Sequence, residues 1–251
     1  MFKNSALPHY LLPNITTYSN LISELKIAKS SGIGSWIVTL NVDIHRQLSK
    51  PEYATLSDSI SEQAIITADG FPVKYIARHL TGKRFERVTG ASTMRLLVNL
   101  SVELNIPIVF AGGKYGDSTI AMQKVKANYP FAKVCAVELP FGEPQELANE
   151  IIESIDFRSF TLFLGVGALK SEEIIYMIRK RYPQSIFIGC GAGVSFFAGS
   201  LRRAPQIIRK LNLEWLYRLS KEPKRLFSRY VLKDFPHLIK MILWAVKTPK
   251  F

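Results

Sequence analysis

The chain has 251 residues, 47% of them hydrophobic and 21% charged, with 33 Lys+Arg against 20 Asp+Glu for a formal net charge of +13. A chain of this size buries roughly 70–75% of its unfolded surface in one core, and its apolar content offsets the entropy of ordering the backbone, so a short peptide and a disordered polar chain are both excluded. The two cysteines, Cys135 and Cys190, lie far apart with no CxxC pair, which indicates neither a disulfide framework nor a structural zinc site and fits a reducing compartment.

The opening segment MFKNSALPHYLLPNITTYSN has no apolar run long enough for a signal-peptide core. No later stretch reaches the ~18 apolar residues of a membrane span, so the expectation is a chain not exported by the ordinary route. Strands are predicted at SWIVTL (35–40), AIIT (64–67), IPIVFAG (106–112), AKVCAVE (132–138), SFTLFLGV (159–166) and SIFIGCG (185–191). Between them, near 91–104, 117–127, 145–155 and 171–181, apolar residues recur at helical spacing. Strand and helix alternating at this rhythm imply parallel pairing through right-handed crossovers. The expected fold is therefore α/β, a Rossmann-like, doubly wound, mostly parallel sheet over residues 1–200.

Such sheets bind ligands at the carboxyl ends of their strands. Glycines follow four of the six predicted strands, at Gly70, at Gly112-Gly113, at Gly165 and Gly167, and at Gly189 to Gly193. Such turns serve either a phosphate site or tight strand-to-helix connections, and this sequence leaves both open. Gly165-Val166-Gly167 lacks the third glycine of GxGxxG because Lys170 stands there, and no GxxxxGK[ST] occurs, which weakens dinucleotide and P-loop readings. The four histidines, His9, His45, His79 and His237, are scattered, and no two aspartates form a DxD pair. No metal and no cofactor is expected, so any diphosphate would take its counter-charge from arginine.

Residues 201–251 hold thirteen of the basic residues and only three acidic ones, Glu214, Glu222 and Asp234. The excess charge thus belongs to a basic C-terminal appendage behind a nearly neutral body. Asn212 is expected to cap a helix LEWLYRL, Pro223 to start a second, PKRLFSRYVLK, and Asp234 to cap a third, FPHLIKMILWAVK. In that third helix Phe235, Leu238, Ile239, Ile242, Leu243 and Val246 follow helical spacing, lysines recur elsewhere, and Trp244 suits an interfacial contact. The segment is too short to span a bilayer but suits its anionic surface, with packing on the domain or on a second subunit as the rival reading and nucleic acid a remote one.

The string RRAPQIIRKLNLEWLYRLSKEPKRLFSRY (202–230) resembles the KRAP…GLEWLYRL…EPxRLxxRY signature of the WecG/TagA/CpsF glycosyltransferases. VTLN (38–41), ADG (68–70), FERVTG (85–90), VFAGG (109–113) and the FxAG-like Phe196-Phe197-Ala198-Gly199 follow the family's motifs in order. The resemblance, from about Thr39 to about Tyr230, implies an inverting, metal-independent transferase. It would move a sugar from a UDP-sugar to an undecaprenyl-diphosphate-linked sugar in cell-surface polysaccharide synthesis, as a peripheral protein on the cytoplasmic face of the bacterial inner membrane, and homo-oligomerisation is a further implication.

Carried over by motif, Asp69 is the general base that accepts the acceptor hydroxyl's proton. Thr39, Asn41, Arg87, Gly112 and Gly113 bind substrate, and Arg203, Arg218, Arg225 and Arg229 meet a diphosphate or the membrane surface. Three departures stand out: Ser92 replaces an aspartate of the family pattern, Gly167-Ala168-Leu169-Lys170-Ser171-Glu172 lacks the proline and glutamine of G-x-PKQE, and Val194-Ser195-Phe196 replaces FDF. They leave the donor open between a UDP-N-acetylmannosamine-like sugar and UDP-glucose. A membrane-bound nucleotide-sugar sensor or assembly scaffold without turnover is the competing class.

Overall fold

The computed structural model describes residues 11–250. The N-terminal ten residues, with His9, lie outside the described residues, as does the Arg225 side chain. The six predicted strands are present as β1 (Ser35–Leu40), β2 (Ala64–Ala68), β3 (Ile108–Gly112), β4 (Val134–Val137), β5 (Thr161–Gly165) and β6 (Ile186–Gly189). They form one sheet in the order β2-β1-β6-β5-β3-β4. Every pairing is parallel, for example Val38 beside Ile66 and Phe110 beside Phe163. β3 starts later than expected because Pro107 has no N–H to give a neighbouring strand, although its carbonyl still accepts from Thr161 N at 2.8 Å.

Preceding the tail are helices α1 (Tyr18–Ser30), α2 (Val42–Leu48), α3 (Ala54–Gln63), α4 (Phe71–Thr81), α5 (Gly90–Glu103), α6 (Asp117–Asn128), α7 (Pro144–Ser154), α8 (Ala168–Ile178) and α9 (Gly193–Ala198). Alternate side chains of each strand enter opposite cores. Trp36, Val38 and Leu40 pack with Val73 of α4, Ile151 of α7 and Ile175 of α8. Ile37 and Phe110 pack with Leu21 of α1, Leu97 of α5, Val125 of α6 and Val194 of α9. Both sheet faces are covered, which is the doubly wound arrangement expected of near-continuous apolar strands.

The tail continues as α10 (Gln206–Lys210), α11 (Glu214–Lys221), α12 (Pro223–Phe227), a π-helical turn Ser228–Asp234, and α13 (Phe235–Lys247). Asn212 does not cap α11. It takes a left-handed φ of 59° and closes α10, with Leu213 N reaching back to Ile208 O at 3.0 Å; asparagine tolerates that conformation at a helix end. Asp234 precedes α13 but makes no cap bond, because its carboxylate is taken by Arg46 and Arg229.

α13 lies against the body through Met241 and Ala245, both buried in the first core, and half-buried Leu238 and Trp244 pack beside them. Those last two were expected on the outward stripe and at an interface, respectively. Helical rotation carries them to the Met241 side instead.

Candidate active site

Asp69 is the first residue beyond β2. Its N–H donates to Leu40 O of β1 at 2.8 Å, and its Oδ2 lies 3.4 Å from Gly90 N in the first turn of α5. Gly70 follows at φ 130°, a conformation that L side chains avoid, and a Cβ there would lie 3.9 Å from Asn41 Cβ. The turn therefore brings Asp69 beside the end of β1.

Burial pushes the Asp69 pKa up to about 6 and Glu214 adds to the rise, while Gly90 N–H, Arg87 and Arg203 oppose it. A carboxyl so placed is largely ionised at neutral pH yet basic enough to take a proton.

Thr39 and Asn41, both expected to bind substrate, sit at the end of β1 and do different work. Thr39 is buried beneath the start of α5, its hydroxyl 3.4 Å from Gly189 O and 3.3 Å from where a Gly90 Cβ would stand. Asn41 caps α2, its Oδ1 accepting from Ile44 N at 3.0 Å.

The arginine cluster forms around α5. Arg87 lies between α4 and α5, its carbonyl accepting from Tyr18 Oη at 3.2 Å and its Nη2 2.9 Å from Glu214 Oε2. Arg203 arrives from the tail. Its Nε lies 3.0 Å from Glu214 Oε1, its Nη1 donates to Ser92 Oγ at 3.0 Å, and its Nη2 donates to Thr89 Oγ1 at 3.0 Å.

Thr89 is itself the cap of α5, accepting from Ser92 N at 3.3 Å. Asp69, Arg87 and Arg203 thus gather at one helix N-terminus, where the helix dipole also favours anions. Glu214, the carboxylate that ties the arginines together, was counted in the sequence only as a minority acid in a basic tail.

The other tail arginines are elsewhere. Arg229 Nε lies 3.3 Å from Asp43 Oδ2 and 3.4 Å from Asp234 Oδ2. Arg46 completes that network, 2.5 Å from Asp43 Oδ1 and 3.0 Å from Asp234 Oδ1. Arg218 is half-buried and makes no ion pair among the described residues.

Gly112 and Gly113 form the β3–α6 turn with φ of 78° and 95°. A Cβ on Gly112 would come within 2.8 Å of Val166 Cγ1, so the turn is pressed against the β5 loop. Its amides are satisfied internally: Gly113 N donates to Gly165 O at 3.0 Å, Lys114 N to Asp117 Oδ2 at 2.8 Å, and Gly116 N to Glu138 Oε2 at 2.9 Å.

Glu138 Oε1 also accepts from Thr119 N at 3.0 Å. The first turn of α6 is thus occupied by carboxylates of the chain itself. Half-open cavities of about 320 and 440 Å³ lie beside Ile106 and Lys133 and beside Gly34 and Pro183, at the amino ends of the strands. The Asp69 turn and the start of α5, the candidate cleft, lie at the opposite, carboxyl ends of the strands. Among the described residues no His/Cys/Asp/Glu group is arranged to hold a metal ion.

This geometry can be set beside known proteins. The pattern of the glycosyl transferase WecG/TagA/CpsF family matches residues 12–250. The chain belongs to that family. It is 25% identical over 216 residues to an N-acetylglucosaminyldiphosphoundecaprenol N-acetyl-beta-D-mannosaminyltransferase of Bacillus subtilis (strain 168), covering 86% of this chain and 82% of that one. A relative of the same name from Staphylococcus aureus (strain MW2) is 28% identical over 247 residues, covering 94% and 91%.

Within this WecG/TagA/CpsF member, the three departures fall in two kinds of place. Ser92 receives the Arg203 bond described above. Burial pushes the Asp117 pKa up, but the Ser195 and Ser200 side chains and the Lys114 N–H near its carboxylate outweigh that and hold it down. Ser171 is buried and donates to Gly167 O at 2.6 Å.

Proposed function

We propose that this glycosyltransferase moves a sugar from a UDP-sugar to a lipid-diphosphate-linked sugar with inversion and without a metal ion. The observation that carries the reading is the convergence of Asp69, Arg87 and Arg203 at the start of α5. With the donor diphosphate on the two guanidinium groups, the acceptor hydroxyl faces Asp69. Asp69 takes the hydroxyl proton as the oxygen forms its bond to the anomeric carbon, and the bond to the diphosphate oxygen breaks with its electron pair. UDP departs against Arg87 and Arg203, which supply the counter-charge fixed in place before the reaction. Thr39 and Asn41 fix the β1 end that shapes the acceptor side, and Gly112 and Gly113 form the donor wall.

Peripheral seating on the cytoplasmic face of the bacterial inner membrane is supported by α13. Phe235, Ile239, Ile242, Leu243 and Val246 are exposed along one side, away from buried Met241 and Ala245, and Lys240 and Lys247 are exposed beside them. Such a stripe suits acyl chains while the lysines meet anionic headgroups. No helix among the described residues is long and apolar enough to cross a membrane. Arg218 is assigned to the carrier diphosphate, a role also expected of Arg225, whose side chain lies outside the described residues.

The test incubates the purified chain with UDP-N-acetylmannosamine, UDP-glucose and other UDP-sugars and a short-chain lipid-diphosphate N-acetylglucosamine. Product is read by mass spectrometry. Transfer from one donor that is lost in Asp69→Asn supports the mechanism. Donor binding without turnover would instead support the sensor or scaffold reading.

A further inference from the structure

Glu214 deepens the reading of Arg87 and Arg203 as a diphosphate seat, and the inference rests on that reading. Its two carboxylate oxygens engage different guanidinium groups, Oε2 on Arg87 at 2.9 Å and Oε1 on Arg203 at 3.0 Å. A bridging anion with its oxygens shared between two arginines is the arrangement a phosphate group adopts between them.

Three features mark the carboxylate as replaceable. Arg203 is held without it, because Thr89 and Ser92 each accept one of its Nη groups at 3.0 Å. Arg87 and Arg203 bring two positive charges to this one carboxylate, and Asp69 is the other acid whose charge they feel. The bridge also sits on α11, none of whose residues is buried, so its departure breaks no core packing.

We propose that Glu214 is an internal stand-in for a phosphate: it neutralises the arginine pair while the cleft is empty and is displaced when a diphosphate binds. Glu214 then acts as a specificity residue. A singly charged anion competes poorly with a tethered carboxylate, whereas a diphosphate brings more charge and more acceptor oxygens. Displacement also frees the first turn of α11, so filling the cleft and loosening this part of the tail are one event. The shared ligand chemistry is a diphosphate, from a nucleotide or from a lipid carrier.

The experiment measures dissociation constants by calorimetry for inorganic pyrophosphate, UDP and farnesyl diphosphate with full-length wild type, Glu214→Gln and Arg87→Ala. Glutamine keeps the size and one acceptor oxygen while removing the competing charge and the second acceptor, so Glu214→Gln is expected to bind pyrophosphate at least threefold tighter. The same gain for UDP alone assigns the seat to the nucleotide, and for farnesyl diphosphate alone to the lipid. Unchanged or weaker binding of all three probes by Glu214→Gln, while Arg87→Ala still loses binding, overturns the displacement. Binding indifferent to Arg87→Ala removes the diphosphate seat itself. Circular dichroism of each variant guards against misfolding, and limited proteolysis gives a second reading in wild type: UDP or farnesyl diphosphate, whichever occupies the seat, is expected to speed cleavage near α11, and protection there also overturns the proposal.

Discussion

Asp69→Asn separates what the cleft does from what it costs the fold. In the folded chain the Asp69 pKa rises from 3.8 to about 6, chiefly through burial. An acid with a raised folded pKa adds stability while protonated; that contribution is lost as pH rises from about 3.8 to about 6, and above it the ionised group carries the full penalty. A shift of about two units corresponds to about 3 kcal/mol. Because the side chain keeps a partly exposed edge, solvent reduces the expected effect to about 1–3 kcal/mol.

Asparagine is neutral at all pH and its oxygen still accepts from Gly90 N. Asp69→Asn is therefore expected to raise the urea midpoint at pH 7–8, to match wild type near pH 4, and to lose transfer activity by a factor of at least about 100, within the range for a general base. Wild-type activity should fall below pH 6 as the base protonates. Unfolding curves from pH 4 to 8 with initial rates on the same preparations check all of this. An active Asp69→Asn, or one destabilised equally at every pH, would refute the argument.

Glu172 gives a second pH signature away from the cleft: burial pushes its pKa from 4.5 to about 8 although Trp36 Nε1 donates to it at 2.7 Å. Its stabilising contribution is thus lost between about pH 4.5 and about 8, and Glu172→Gln should flatten that decline in urea midpoints. Met241→Ala removes a buried contact between α13 and the body, and an expected loss of about 2–4 kcal/mol would appear as a lower denaturation midpoint and faster proteolysis of the tail. Ile239→Asp with Leu243→Asp changes exposed residues only, so the melting temperature should hold while sedimentation with anionic vesicles falls steeply.

The sheet was legible because its strands are buried on both faces and read as unbroken apolar runs such as IVFAG (108–112). Helices α1 to α4 were not assigned in the sequence: α2 is only seven residues long, and α3, ATLSDSISEQ, has apolar residues only at Ala54, Leu56 and Ile60. Asp69 and Arg87 were found through motifs alone, since spacing cannot say that a turn after β2 meets the start of α5. Glu214 stayed hidden for the same reason. It is 127 positions from Arg87, and local chemistry gives no hint that the one pairs with the other. Asn212 misled because asparagine favours both helix starts and the left-handed residue at helix ends, and only the backbone separates the two uses.

The charge of the tail is divided by geometry into parts with different physical meaning. Arg203 is drawn into the cleft and held by hydroxyls, and so adds potential where a diphosphate would sit. Arg229 is drawn instead to Asp43 and Asp234, in a network that joins the tail to α2, and Asp43 stands two residues from the Asn41 cap. Lys240 and Lys247 remain exposed beside the apolar side of α13. One helical segment thus packs on the body through Met241 while presenting lysines and apolar side chains outward, so contact with a charged surface would be felt at the same element that anchors the tail. The basic excess of the tail therefore separates into a share drawn to the start of α5, a structural share and an outward-facing share, and each is removed by a different substitution.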